Sequence, residues 1–199
     1  MDVEQEKTYE ERKISMNWYA RMIYPYEEGS GGLGHYDLQL VGNYTFDGVK
    51  YTNPVFTYGN DNGTGFLGIF NRSLSVAVYK KFLPFKGYNY NGKTSSTTAQ
   101  YNAFLDLIKA SIDTSSKKAV TIKDASGNKV GTGYRYTITS SYKNYSKKSR
   151  NCFMAVGLWV NALGDSRFKD FAAKHSYTDY TAYQMVNNYP SLWNLIGTL

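Results

Sequence analysis

The sequence predicts an α+β fold in which an antiparallel sheet packs against helices, and three observations carry that prediction. The first is composition: 42% of the 199 residues are hydrophobic and 17% aromatic, with 20 tyrosines, which excludes a disordered chain and suits a sheet-containing globular protein. The second is alternation of polar and apolar residues over 34–42, with Val49, Tyr51, Val55 and Tyr58 following Asp47-Gly48, a dipeptide that turns hairpins. The third is helical spacing of apolar residues in two places: after Thr97, and from Cys152 to Leu163. No linker-like stretch divides the chain, so residues 1–199 read as one domain. Within it, 1–30 form an N-terminal helix and connection, 31–164 the core, and 165–199 a set of C-terminal helices.

Residues 4–23 carry charge early and apolar side chains late. Ile14, Trp18 and Met22 fall on one stripe, with Tyr19 and Ile23 beside it, which predicts an amphipathic helix ended by Pro25. The Gly/Ser-rich stretch 27–32 leads into the sheet. The alternation over 34–42 predicts a strand. Val49, Tyr51, Val55 and Tyr58 predict its return, and a two-residue turn at Asp47-Gly48 pairs Phe46 with Val49. Carried outward, that register sets His35 opposite Asn60; Pro54 marks a bulge or an edge that can slip it by one or two residues. Residues 59–68 read as a loop, 73–82 as a strand and 88–96 as a second polar connection. Thr97 to Gln100 cap a helix that runs to about Ile112, with Phe104, Leu105 and Ile108 on its buried face. Residues 120–123 and 134–139 predict a further hairpin. After Gly164, residues 166–174 and 181–187 predict two short helices.

The single cysteine rules out a disulfide within the monomer, and no CxxC or HExxH spacing suggests a metal site, so neither metal nor cofactor is expected. The start of the chain has neither the basic residues nor the apolar core of a secretory signal, and its longest apolar run is too short to span a bilayer. A soluble protein made in the cytoplasm is the expectation. A formal charge of +7 and a pI near 9.2 favour anionic surroundings. The lysines are scattered rather than striped and form no nucleic-acid-binding motif, so no nucleic-acid partner is expected.

Cys152 stands where the basic segment Lys147, Lys148 and Arg150 gives way to an apolar run. It reads as the first-turn residue of a buried helix that stops at Gly164. Unpaired backbone N–H groups at a helix start, with basic neighbours, favour thiolate over thiol. The alternative is a small buried hydrophobe. A cysteine nucleophile needs an imidazole within reach, and the chain has two histidines. His35 follows Gly34 at a strand start, whereas His175 follows Ala172-Ala173-Lys174 near a helix end and suits a structural role at the helix dipole.

In order, the chain carries Gly34-His35, Thr57-Tyr58-Gly59, a Thr-x-x-Gln-Tyr helix start at Thr97 to Tyr101, a Tyr-containing strand at Tyr134 to Ile138, and Asn151-Cys152. This succession resembles the circularly permuted, NlpC-type papain-like families over residues 33–164. The resemblance implies a papain-like fold with a catalytic Cys152 at a helix N-terminus and His35 as general base. It implies an orienting residue from the strand beside the histidine: Asn60 in the register above, Tyr58 or Thr57 if the register slips. Relatives of lecithin:retinol acyltransferase place a second histidine about a dozen residues after the first. This chain has none between Gly42 and Asn53, which lowers a lipid-acyltransferase reading.

The function implied is hydrolysis of amide bonds, with peptidoglycan stem peptides as substrate. A leaderless enzyme of that kind resembles an antibacterial effector delivered by a secretion system such as type VI, acting as a monomer and countered by an immunity protein in the producing cell. The alternatives are a cysteine acyltransferase or deamidase acting on a protein or lipid, and a non-enzymatic glycan- or protein-binding module in which Cys152 is merely buried.

Overall fold

The computed structural model describes residues 14–23, 35–60, 72–79, 89–123, 127–138 and 152–164. They form an α+β arrangement of one seven-stranded sheet, one two-stranded hairpin and two helices. The strands are β1 (Ile14–Ile23), β2 (His35–Val41), β3 (Asn43–Phe46), β4 (Val49–Thr52), β5 (Val55–Asn60), β6 (Arg72–Tyr79), β7 (Asn89–Ser96), β8 (Lys118–Lys123) and β9 (Lys129–Thr137). The helices are α1 (Thr98–Ser111) and α2 (Cys152–Ala162). The large sheet runs β7-β1-β2-β5-β6-β9-β8, and every neighbouring pair is antiparallel.

Two segments expected to lie outside the sheet are strands. Residues 14–23 are β1, not the second half of a helix. Ile14, Trp18 and Met22 are spaced by four, and a spacing of four keeps residues on one stripe of a helix and equally on one face of a strand. The pattern alone does not separate the two. Pairing on both flanks decides it, since Trp18 lies opposite Leu40 of β2 and Gly92 of β7 and is fully buried. The polar stretch before Thr97 is β7, recruited by the open edge of β1 despite its low hydrophobicity. The earlier part of the expected N-terminal helix, the connection at 27–32 and the helices expected after Gly164 lie outside the described residues.

The turn at Asp47-Gly48 forms as its chemistry dictates. Both residues have positive φ, 47° and 74°, which is the two-residue hairpin turn that matches strand twist, and Phe46 pairs with Val49. The hairpin does not continue unbroken into β2 and β5. At Gly42 (φ 123°) and Asn53 (φ 51°) the chain kinks, with the Gly42 N–H donating to Asn53 Oδ1 at 2.8 Å and the Asn53 N–H donating to Gly42 O at 2.7 Å. Pro54, which cannot donate to a ladder, follows. Beyond the kink Asp37 pairs with Thr57, Leu38 with Phe56 and Gln39 with Val55, one residue out of step with β3–β4.

One face of the sheet carries the main core. Trp18, Leu38, Leu40, Phe56, Tyr58, Leu74, Val76 and Tyr136 line it, and Phe104 and Ile108 of α1, Val156, Trp159 and Val160 of α2, and Phe46 and Tyr51 of the hairpin cover it. Phe46 meets Phe56 and Tyr136 edge-on at centroid distances of 5.7 and 6.0 Å, and Phe56 meets Phe104 at 5.3 Å, the geometry that aromatic quadrupoles favour. The opposite face is also closed to solvent in part, because Val55, Ala77, Asp37, Gln39 and Ser73 are buried.

Candidate functional site

Cys152 is the first residue of α2, as its position between a basic and an apolar segment predicts. It is half-buried and packs against the core cluster. The helix lies over β2 and β5 and against α1. Its far end is fixed. The Ser96 hydroxyl donates to Leu163 O at 2.7 Å inside the protein, satisfying a carbonyl left over at the helix end, and Gly164 (φ 100°) closes the helix as expected.

Ser96 pairs with Ile14 at one end of β1, and His35 pairs with Ile23 at the other. Ser96 and His35 therefore mark opposite ends of the sheet. An 11-residue helix is roughly 16 Å long. At the end of the sheet opposite Ser96, β2 begins with His35 and β5 closes with Asn60.

The register within that end differs from the expected one. The expected register carries Asp37 opposite Tyr58, whereas the sheet pairs Asp37 with Thr57, where the β2–β5 ladder ends. Asn60 pairs on its other side with Arg72. The physical cause is the extra residue accommodated at Gly42 and Asn53, and a slip of one exchanges the two faces of a strand. The β1–β2 ladder runs without a break from Asn17–Val41 to Ile23–His35. By position His35 is two residues from Asp37 in β2, and Asn60 two residues from Tyr58 in β5. Thr57, directly across from Asp37, is half-buried; Tyr58 is buried in the core. His175 lies outside the described residues.

Sequence reasoning passed over Asp37, which is 4% exposed and engaged in an interaction. Its signal was present as a carboxylate at the centre of an alternating strand, two residues after a histidine. Asp47 was read only as a turn former. Its carboxylate pairs with Lys117 Nζ at 2.9 Å and accepts from the Tyr136 hydroxyl at 3.0 Å, while Lys117 also donates to Asp47 O at 2.9 Å and sits 4.7 Å from the Tyr134 ring centre. The Lys117 hydrogen bond holds the Asp47 carboxyl below its ordinary range, against an opposing push from burial. Burial, with Tyr134 beside it, pushes the Tyr51 phenol up to about 12. This cluster pins the hairpin tip to β9.

Among the described residues no group of three or more His, Cys, Asp or Glu is placed to hold a metal ion, and no helix is long and apolar enough to cross a membrane. Compared with family models, curated proteins and solved structures, the chain matches none.

Proposed function

We propose that the chain is a cysteine hydrolase that cleaves amide bonds, built on a papain-like core of the permuted NlpC type. The observation that carries the reading is Cys152 as the half-buried opening residue of α2, at the junction of a basic and an apolar segment. A thiol there has the helix-start N–H groups in its favour, and the same groups suit an oxyanion.

In the reaction the Cys152 thiolate attacks the amide carbonyl and His35, protonated, gives its proton to the leaving amine as the C–N bond breaks. Water, deprotonated by the now neutral imidazole, then cleaves the thioester, releasing the acid and restoring the Cys152 thiolate beside a protonated imidazole. Five motifs in family order support this chemistry, and with it peptidoglycan stem peptides as substrate and the role of a secreted antibacterial effector. The +7 charge suits an anionic cell wall.

Digestion of purified peptidoglycan by wild-type protein, Cys152→Ala, His35→Ala and the double variant tests the reading. Each single variant should lose nearly all turnover with the fold intact, and the double variant should resemble either single one, because residues acting as a unit are not additive. Release of fragments by Cys152→Ala at the wild-type rate would overturn it.

A second reading is a non-enzymatic binding module. It is favoured by the packing of Cys152 against the core. Iodoacetamide separates the two. A catalytic thiolate is modified at about pH 6, well below the ordinary thiol value of about 8.5, whereas a core cysteine reacts only after denaturation.

A further inference from the structure

The large sheet ends in β8, and among the described residues none pairs with that strand on its outer side. The orientation of its backbone follows from β9. The Asp113 N–H donates to Thr137 O at 3.0 Å and the Thr137 N–H donates to Ser116 Oγ at 2.8 Å, so both backbone groups of Thr137 face the segment that runs into β8. In an antiparallel ladder the N–H and C=O of one residue point to one side and those of the next to the other. Arg135, Gly133 and Gly131 therefore turn their backbone groups to β8 and engage their partners Lys118, Val120 and Ile122. Ala119 and Thr121 are left with N–H and C=O turned outward, and both residues are exposed. Two donors and two acceptors along a strand edge are what an extended segment adds to. A register shift at Ile122/Lys123 closes this stretch.

Charge selects the chemistry of the occupant. Lys118 opens the stretch and Lys129 of β9 stands beside the register shift that closes it; both are exposed, on a chain of formal charge +7. A second copy of the chain brings the same charges to the same edge. A segment with carboxylates at both ends and β-branched residues between them meets the lysines with opposite sign, and its central side chains lie along the half-buried Val120 and Ile122. We propose that β8 is a docking edge for an extended acidic segment of a partner protein, which adds to the seven-stranded sheet through the outward backbone groups of Ala119 and Thr121, with its carboxylates beside Lys118 and Lys129. None of these residues belongs to the site at Cys152, so the edge stands or falls apart from the hydrolase reading.

The probe is an amidated, fluorescein-labelled peptide of sequence EETVTVEE, compared with KKTVTVKK, its binding to the full chain followed by fluorescence anisotropy at low salt and by NMR amide exchange. In the protein alone the Ala119 and Thr121 amides should exchange far faster than those of Val120 and Ile122, and saturation with the acidic peptide should slow them about tenfold or more. The acidic peptide should bind about tenfold or more tighter than the basic one. Thr121→Pro removes an outward donor without touching the β8–β9 ladder; it should keep the wild-type urea midpoint and weaken the acidic peptide about tenfold. Lys118→Glu should narrow the preference between the peptides, and with the exchange data it decides the matter if the proline variant does not fold. Slow exchange of Ala119 and Thr121 in the protein alone, equal binding of the two peptides, or binding of neither overturns the proposal. A dimer in sedimentation that Thr121→Pro converts to monomer makes the occupant a second copy and overturns it too.

Discussion

Gly133 shows how narrowly one residue can be specified by its neighbours. It pairs with Ala77 between β6 and β9, and a Cβ built there would run into the backbone of Val76 and come within 2.6 Å of Ala77 Cα. Backbone in a central strand cannot swing aside as a side-chain tip can, so Gly133→Ala must part β6 from β9. The expected loss is at least about 2 kcal/mol, read as a lower urea midpoint with an unchanged slope. Gly48 is the contrast: it has equally open surroundings on every side, and what its positive φ requires is conformation rather than space.

At the scale of elements, the start of α1 and the end of α2 share one side chain. The Thr97 hydroxyl accepts from the Gln100 N–H at 3.2 Å, and Gln100 Oε1 accepts from the Thr97 N–H at 2.8 Å, closing a capping box. A Cβ on Gly164 would lie 2.6 Å from Gln100 Nε2, and the box holds that side chain in place. Thr97→Ala should cost about 1 kcal/mol as a lost cap. Gly164→Ala combines a left-handed backbone with displacement of Gln100 and should cost about 1 to 2 kcal/mol. Once Gln100 has been displaced the cap is already weakened. The double variant should therefore lose less than the two singles combined, measured by urea denaturation of all three. Strict additivity would mean that the two helix ends are independent.

At the scale of the whole molecule, the hairpin β3–β4 closes the core over β6 and β9, and Asp47 fastens its tip. Because Lys117 lowers the folded-state pKa of Asp47, this contribution is fully present above the unfolded value of about 3.9 and is lost as pH falls through the lower folded value. Wild-type protein should exceed Asp47→Asn in stability at pH 7 by about 0.5 to 1 kcal/mol, in keeping with a half-exposed pair. The gap should be smaller at pH 3 than at pH 7, because it narrows as pH falls below the unfolded value of about 3.9 toward the lowered folded one. Urea midpoints of both proteins at the two pH values measure it, and a gap independent of pH would remove the ion pair as its cause.

What the sequence by itself determined is the set of features with local causes. The capping box at Thr97, the turn at Asp47-Gly48, the buried stripe of α1 and the span of α2 from Cys152 to its stop at Gly164 all follow from residues within a few positions of one another. Cys152 at a helix start was legible for the same reason. The tertiary structure decided what depends on partners distant in the chain. A spacing of four left residues 14–23 undecided between helix and strand until β2 and β7 flanked them, and only the edge of β1 made a strand of 89–96. It also decided the candidate site's register. The kink at Gly42 and Asn53 is a cooperation between residues 11 apart in the chain, and its one-residue slip set Asp37 opposite Thr57 where the expected register has Tyr58. Alternation tells which residues of a strand share a face; only the assembled sheet tells which face meets the helices.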